Sequence, residues 1–355
     1  MSGGVDSSVA AALLVERGYD VMGVMLKLWR GEANTASGCC NIGAAEDARR
    51  VADTLGIPFY VLNLAERFEA TVISDFRAQY AAGRTPNPCV RCNQWIKFDA
   101  LLERAQALGA DVLATGHYAR VRARGGRLRL LRGSDERKDQ SYVLWMLTQR
   151  HLERVLFPVG ELTKPRTRAL AARLGLRTAD KPDSQEVCFV RGGDMGAYVS
   201  EHMAEAARPG AIVDASGKQV GRHGGIGRFT VGQRKGLGIS LGVPVYVTSI
   251  DRRSNSVVVG GRDDLLVGGL VARETSYVSR RPGVGERVLV QHRAHGDAAL
   301  GRVTTSAEDA LEISFARPVR AVAPGQSAAL YSAAEPEELL GGGVIAATLP
   351  LEEVA

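Results

Sequence analysis

An α/β domain followed by smaller, mainly β modules is the fold class this chain predicts, and three features predict it. The chain opens as loop, helix, strand: a glycine- and serine-rich turn over residues 2–8, an apolar helical run over residues 9–15, and an apolar strand over residues 21–25. Residues 197–266 are rich in glycine, with short apolar runs between tight turns. From Gly268 onward, Val-x-Val and Leu-x-Ile alternations recur between turn residues, as in a small β-barrel. At roughly 150 residues per domain, 355 residues make two to three domains. The predicted divisions are 1–196, 197–266 and 267–355.

Composition excludes several classes. Hydrophobic residues make up 45% and charged residues 24%, which rules out a chain disordered throughout. No run of about 18 apolar residues occurs, so no membrane-spanning helix is expected. Lys and Arg number 45 against 39 Asp and Glu, a net charge of +6 that permits a polyanionic partner without requiring one. Five cysteines, an odd number, do not make a secreted disulfide framework. Small and polar residues stand where a secretory signal would place basic and then apolar ones, so the expected compartment is the cytoplasm.

In the opening turn, Gly3 and Gly4 allow positive φ and close backbone approach, Ser7 can cap the helix, and Gly18 can end it. Exposed N–H groups at such a helix start bind anions. A glycine at a helix start is also common for capping alone, and no Gly-Lys-Ser/Thr follows to make a Walker A loop. The full string SGGVDSS resembles the pyrophosphate loop of the N-type ATP pyrophosphatases, which split ATP into AMP and pyrophosphate and activate an oxygen by adenylation. The resemblance implies a parallel-sheet ATP pyrophosphatase domain in which Ser2, Gly3, Gly4, Val5, Asp6 and Ser7 surround the phosphates. Asp6 would be a route to Mg²⁺. In that family a strand and a glycine precede the loop. The sheet is therefore expected to lack its first strand, and a chain beginning at Met1 to bind ATP weakly.

The cysteines narrow the chemistry. Cys89 and Cys92 lie in TPNPCVRCN, read as a loop from its two prolines; Cys39 and Cys40 are adjacent; Cys188 stands far away between Val187 and Phe189, where it could equally be a core residue. A C-x-x-C pair suggests metal or redox chemistry, but a closed zinc site needs four ligands and no second pair supplies them. The strings TPNPCVRCNQWIKFDALL, ATGHYARV, SDERKDQSYVLWML, FPVGELTKPRTRALA, KPDSQEVCFV and FTVGQRKGLGI occur in the order found in the tRNA-specific 2-thiouridylases. The resemblance runs from Ser2 to about Leu330. These enzymes adenylate O2 of uridine 34 in the anticodon and replace it by sulfur from a persulfide.

On that resemblance, Cys188 carries the persulfide, Cys92 is the nucleophile that resolves it, and the two form a transient disulfide. Arg91 and Lys97 are local sources of positive potential for a thiolate, or solvated loop charge. Asn87, Pro88 and Cys89 match the segment that meets the target base, although many members have Asp where this chain has Cys89. Cys89, Cys92 and Cys188 have the ligand chemistry for three irons of a [4Fe–4S] cluster with one iron open. Leu26 would face the adenine and Gly116 the nucleotide. His117, Lys138, Asp139, Gln140, Arg293, Ala294 and Gln326 match tRNA-contact positions. The implied cofactors are ATP and Mg²⁺. The implied partners are tRNA with Lys, Glu or Gln acceptors and a cysteine desulfurase or sulfur-relay protein.

Arg120, Arg122, Arg124, Arg127, Arg129 and Arg132 alternate with apolar residues around Gly125-Gly126, which predicts a hairpin with one basic face. Such a face can lie along phosphates or simply be solvated. The tail from Glu335 offers no motif. Two other readings stay open. A nitrogen-transferring ligase of the same ATP superfamily would need an ammonia source and no reactive cysteine. A tRNA-binding protein without catalysis would release no AMP.

Overall fold

Val, Ala and Leu follow the glycine turn without a break, and they form helix α1 (Val5–Glu16), which buries Val5, Val9 and Ala10. The computed structural model describes residues 1–28, 42–183, 187–190, 192 and 194–351. Gly4 is the helix N-cap, so Ser7 lies inside the first turn and does not cap it; the Ser7 hydroxyl instead donates to the Gly4 carbonyl at 3.2 Å. Gly18 follows the last turn, as expected, with its N–H on the Val15 carbonyl. Strand β1 (Gly23–Lys27) begins two residues later than the apolar run suggests. It pairs in parallel with β2 (Phe59–Asn63), across helix α2 (Ile42–Leu55). The Met1 amino group donates to the Val24 carbonyl.

By internal packing the chain divides into two units: Met1–Ile73 with Pro88–Gly193 and Glu337–Leu339, and Ser74–Asn87 with Asp194–Pro336 and Leu340–Ala355. In the first unit α3 (Ala65–Phe68) runs into a π-helical turn. Helix α4 (Ser74–Ala81) belongs to the second unit. The first unit resumes with α5 (Pro88–Arg91), a π-helical stretch Cys92–Leu101, and α6 (Leu102–Ala107). The expected loop therefore covers only Thr85, Pro86 and Asn87, and from Pro88 onward the segment is helix. Pro88 occupies the first helical position, where its missing N–H has no intrahelical partner to lose. Strand β3 (Leu113–Ala114) precedes the hairpin of β4 (Ala119–Arg124) and β5 (Arg127–Arg132). After α7 (Gln149–Leu152), β6 (Val155–Leu156) pairs in parallel with β3, and α8 (Lys164–Arg173) follows. Val5, Val9, Tyr118, Val159 and Ala171 form one core, so α1 and α8 pack together. Glu338 and Leu339 pair with β5.

The second unit holds both predicted β modules. After helix α9 (Met195–His202) come β7 (Gly210–Val213), β8 (Gln219–His223), β9 (Tyr246–Asp251) and β10 (Ser256–Gly260), in the order β8-β7-β10-β9 over a core of Ile212, Phe229, Val247, Val257 and Val259. The barrel follows: β11 (Leu266–Tyr277), β12 (Arg287–Gln291), β13 (Ala299–Ser306), β14 (Ala310–Arg320), β15 (Ser327–Ser332) and β16 (Glu338–Leu349). Its strand order β11-β14-β13-β12-β15-β16 is closed by pairing of β16 with β11. Alternation sends Leu311, Ile313 and Phe315 of β14 inward beside Leu270, Val288, Val290 and Leu330. Among the described residues no helix is long and apolar enough to cross a membrane.

His292, just past β12, is buried, and burial with the neighbouring Arg293 charge pushes its pKa from 6.5 down to about 4. Between those values the unfolded chain binds a proton that the native barrel does not. Its stability therefore falls as pH drops from 6.5 toward 4. Urea midpoints across this window are expected to fall for the native chain and to fall less for His292→Gln; equal slopes would contradict the assignment.

Candidate active site

The first turn of α1 is gripped from several sides within the first unit. Gly3 has φ +69°, and a Cβ there would lie 2.2 Å from the Ala44 carbonyl oxygen. A Cβ on Gly116 would lie 2.7 Å from both the Asp6 carbonyl carbon and the Ser7 nitrogen. Glycine at these two positions lets neighbouring backbone close on the turn. The Ser2 N–H donates to the Ser7 hydroxyl at 3.1 Å, and Ser8 donates to the Gly4 carbonyl at 2.9 Å. The amides at the start of a helix lack intrahelical acceptors, which makes this end a receptor for anionic oxygens.

Asp6 is the electrostatic centre of the turn. Lys164 Nζ lies 2.8 Å from each Asp6 carboxylate oxygen and 2.7 Å from Asp183 Oδ1. The Tyr118 hydroxyl donates to Asp6 Oδ1 at 2.8 Å and stands 3.0 Å from Thr167 Oγ1. Burial, reinforced by the Asp6 charge, pushes the Tyr118 phenol far up, so it keeps its proton and remains a donor. Asp183 also receives Lys138 at 2.8 Å and Arg168 at 3.2 Å. Burial raises the Asp183 pKa, but hydrogen bonds and charge from Lys138 and Lys164 outweigh it and hold the carboxyl below its usual range. The sequence reading missed Lys164, Tyr118, Thr167 and Asp183. All four sit inside strings quoted for the resemblance, and only the fold brings them to Asp6.

Leu26 stands on β1 opposite Leu62. His117 is buried, with Nδ1 2.8 Å from Thr115 Oγ1 and its ring among Phe98 and Phe157. Burial, then the charge of Lys97, drives its pKa well below 6.5, so the imidazole is neutral. Cys89 is exposed on α5, Cys92 is half-buried at the start of the π-helical stretch, and Cys188 is exposed. The core-residue reading of Cys188 is overturned: the next residue, Phe189, takes the buried position and packs edge-on against Phe68 at 5.9 Å. Arg91 is buried, not a solvated loop charge; its guanidinium lies 4.7 Å over the Trp95 ring and donates to Gln94 at 3.1 Å. Cys39 and Cys40 lie outside the described residues. Among the described residues no three His, Cys, Asp or Glu side chains gather to hold a metal ion. The structure therefore does not assemble Cys89, Cys92 and Cys188 as a cluster-holding trio. One of the three opens a half-buried helical stretch while the other two face solvent.

The turn after the hairpin is internally bonded. The Asp139 side chain is 5% exposed and accepts from Arg132, the Gly133 N–H and Ser141. Gln140 accepts the Tyr118 N–H at 3.0 Å, and Lys138 reaches Asp183. Asn87 is half-buried and Pro88 buried. In the second unit, Arg293 donates to the Ala321 carbonyl, Ala294 accepts from Gln291, and Gln326 donates to the Thr85 carbonyl at 2.7 Å. The hairpin register puts Arg120, Arg122, Arg124, Arg127 and Arg129 on one face and Arg132 on the other. Acids from elsewhere in the chain meet four of these arginines: Glu337 with Arg120, Glu161 with Arg122, Glu338 with Arg129, and Asp139 with Arg132.

Three family models cover almost the whole chain: a tRNA methyl transferase HUP domain over residues 1–192, a tRNA methyl transferase PRC-barrel domain over 196–261, and an aminomethyltransferase beta-barrel domain over 267–345. Among curated proteins, the tRNA-specific 2-thiouridylase MnmA of Roseiflexus castenholzii is 48% identical over 365 residues, covering 98% of each chain. The protein of the same name from Carboxydothermus hydrogenoformans is 47% identical over 354 residues, covering 97% of this chain and 96% of its own. The chain belongs to the tRNA-specific 2-thiouridylase family. Among solved structures, the NMN synthetase of Francisella tularensis aligns at a TM-score of 0.30 and 18% identity over 51% of this chain and 63% of its own. The HUP, PRC-barrel and β-barrel parts of the thiouridylase family correspond to the α/β region, the four-stranded sheet and the closed barrel.

The packing of Gly116 on this thiouridylase loop can be tested. Gly116→Ala forces a methyl group onto backbone and is expected to cost about 1–3 kcal/mol of stability. Gly224→Ala, whose added methyl meets nothing within 4 Å, is the neutral control. Equal urea midpoints for the two variants would contradict the close packing.

Proposed function

We propose that the chain is an ATP-dependent tRNA sulfurtransferase that replaces the C2 oxygen of uridine 34 by sulfur and releases AMP and pyrophosphate. The observation that carries the reading is that one unit holds both a glycine-walled helix start suited to phosphates and two solvent-accessible thiols, Cys92 and Cys188. Family membership supplies the chemistry that joins them.

A carbonyl oxygen leaves poorly as oxide and well as AMP. In the first step O2 of the uracil forms a bond to the α-phosphorus of ATP, and the α–β phosphoanhydride bond breaks with its electron pair on pyrophosphate. The terminal sulfur of a Cys188 persulfide then attacks C2, and the C2–O2 bond breaks to release AMP. The Cys92 thiolate attacks Cys188 Sγ, leaving sulfur on C2 and a Cys92–Cys188 disulfide. A dithiol or thiol reductant returns both cysteines for the next turnover. The persulfide sulfur comes from a cysteine desulfurase or a relay protein, and the expected acceptors are tRNAs for Lys, Glu and Gln in the cytoplasm.

Asp6, Ser2, Gly3, Gly4, Val5 and Ser7 would line the phosphates, with Leu26 and Gly116 beside the nucleoside. Both Asp6 oxygens already hold Lys164, so Asp6 does not fit a direct Mg²⁺ ligand in this arrangement. Mg²⁺ would enter on the ATP phosphates, and no step is derived through it. Arg91, buried beside Cys92 in the chain, brings positive charge that favours a thiolate there.

Mass spectrometry of tRNA from a strain lacking the gene is expected to show loss of 2-thiouridine at position 34. The native gene should restore it, and Cys92→Ser or Cys188→Ser should not. Full turnover by Cys188→Ser would favour the nitrogen-transferring ligase, and absence of tRNA-dependent AMP release would favour a passive binder.

A further inference from the structure

The residue most tightly bound to the phosphate turn is one that the sequence reading passed over. Lys164 is the first residue of α8, its backbone N–H held by Asp135 at 2.8 Å, and its side chain is 9% exposed. An ammonium has three N–H donors and strong hydration to give up on burial. Here it recovers that loss from both oxygens of Asp6 and from Asp183 Oδ1. The nearby cations are committed elsewhere: Arg168 donates to the Ala179 carbonyl at 2.6 Å as well as to Asp183, and Lys138 is on the other Asp183 oxygen. Among the described residues, Lys164 is thus the side-chain cation that stands directly against the first turn of α1. Asp183, which gathers Lys138, Lys164 and Arg168, keeps it there when an anion competes for it.

We propose that Lys164 is a catalytic residue of the ATP step and that Asp183 is its positioning residue. The proposal rests on the ATP-dependent reading given above. When a polyphosphate occupies the start of α1, one Lys164 N–H turns from Asp6 to a phosphate oxygen while Asp183 retains the ammonium. As O2 of the uracil bonds to the α-phosphorus and the α–β bond breaks, the negative charge that grows on the departing pyrophosphate is met by this preplaced cation. No proton or electron changes hands at Lys164; the residue acts by charge. A desolvated donor aimed at developing charge contributes far more to the rate than the same charge in water.

The test uses the full chain with ATP, Mg²⁺ and tRNA, following AMP formation, together with inhibition by inorganic pyrophosphate as a binding probe. Lys164→Met is expected to lower kcat about 100-fold, to weaken pyrophosphate inhibition at least tenfold, and to leave the tRNA Kd unchanged. Lys164→Arg keeps the charge and should recover part of kcat. Asp183→Asn keeps Lys164 but loosens it, and should lower kcat by less than Lys164→Met does, with little change in the KM for ATP. Should Lys164→Met fail to fold, Lys164→Arg and Asp183→Asn carry the same comparison. Native kcat and native pyrophosphate inhibition in the folded variants would overturn the proposal. Absence of AMP formation by the native chain with tRNA would instead overturn the ATP-dependent reading itself.

Discussion

The Asp6 carboxylate is the interaction on which the first unit turns. It lies in the first turn of α1, accepts a hydrogen bond from Tyr118 beside the hairpin, and holds Lys164 at the start of α8. Two segments that lie 112 and 158 residues further along the chain therefore meet at one side chain. An ion pair with a buried ammonium and a half-buried carboxylate adds little net stability, because the desolvation of its charges offsets their attraction. Its strength is geometric: Asp6 ties Tyr118 and Lys164 to the first turn of α1, and Asp183 holds Lys164 from the other side. The apolar core of Val5, Val9, Tyr118, Val159 and Ala171 packs α1 against α8, and the ion pair joins the first turns of the same two helices.

Charge elsewhere in the chain is arranged in the same economical way. The arginine-rich hairpin has the predicted two-residue turn, and five of its six arginines share the predicted face while Arg132 lies on the other, yet acids from three other segments neutralise much of this charge. A net charge of +6 thus overstates the positive charge available to RNA phosphates on this hairpin. The histidines follow a related rule. His117 and His292 are buried and neutral, so neither adds to the positive field at neutral pH.

Helix α1, the hairpin and the barrel strands were readable because their patterns are local: an unbroken apolar helical run, a Gly-Gly between alternating arginines, and period-two alternation as in Leu311, Ile313 and Phe315. The failures are equally physical. Pro86 lies in the predicted loop, but Pro88 opens a helix, because proline is also at home at the first helical position and local sequence does not separate the two. Strand β16 gave no signal because its first six residues, Glu338–Gly343, are all buried, which erases the alternation that marks a half-buried strand.

Residue order by itself determined the α/β-then-β class, the glycine turn that opens α1, and, through its ordered motifs, the family resemblance. Only the tertiary structure decided which charges are spent inside the protein and which groups surround Asp6. Lys164 and Asp183 lie 158 and 177 positions from Asp6, and no spacing rule reaches that far. Covalent neighbours set local conformation, whereas ion pairs and burial depend on where the chain returns, and that is settled by packing of the core as a whole.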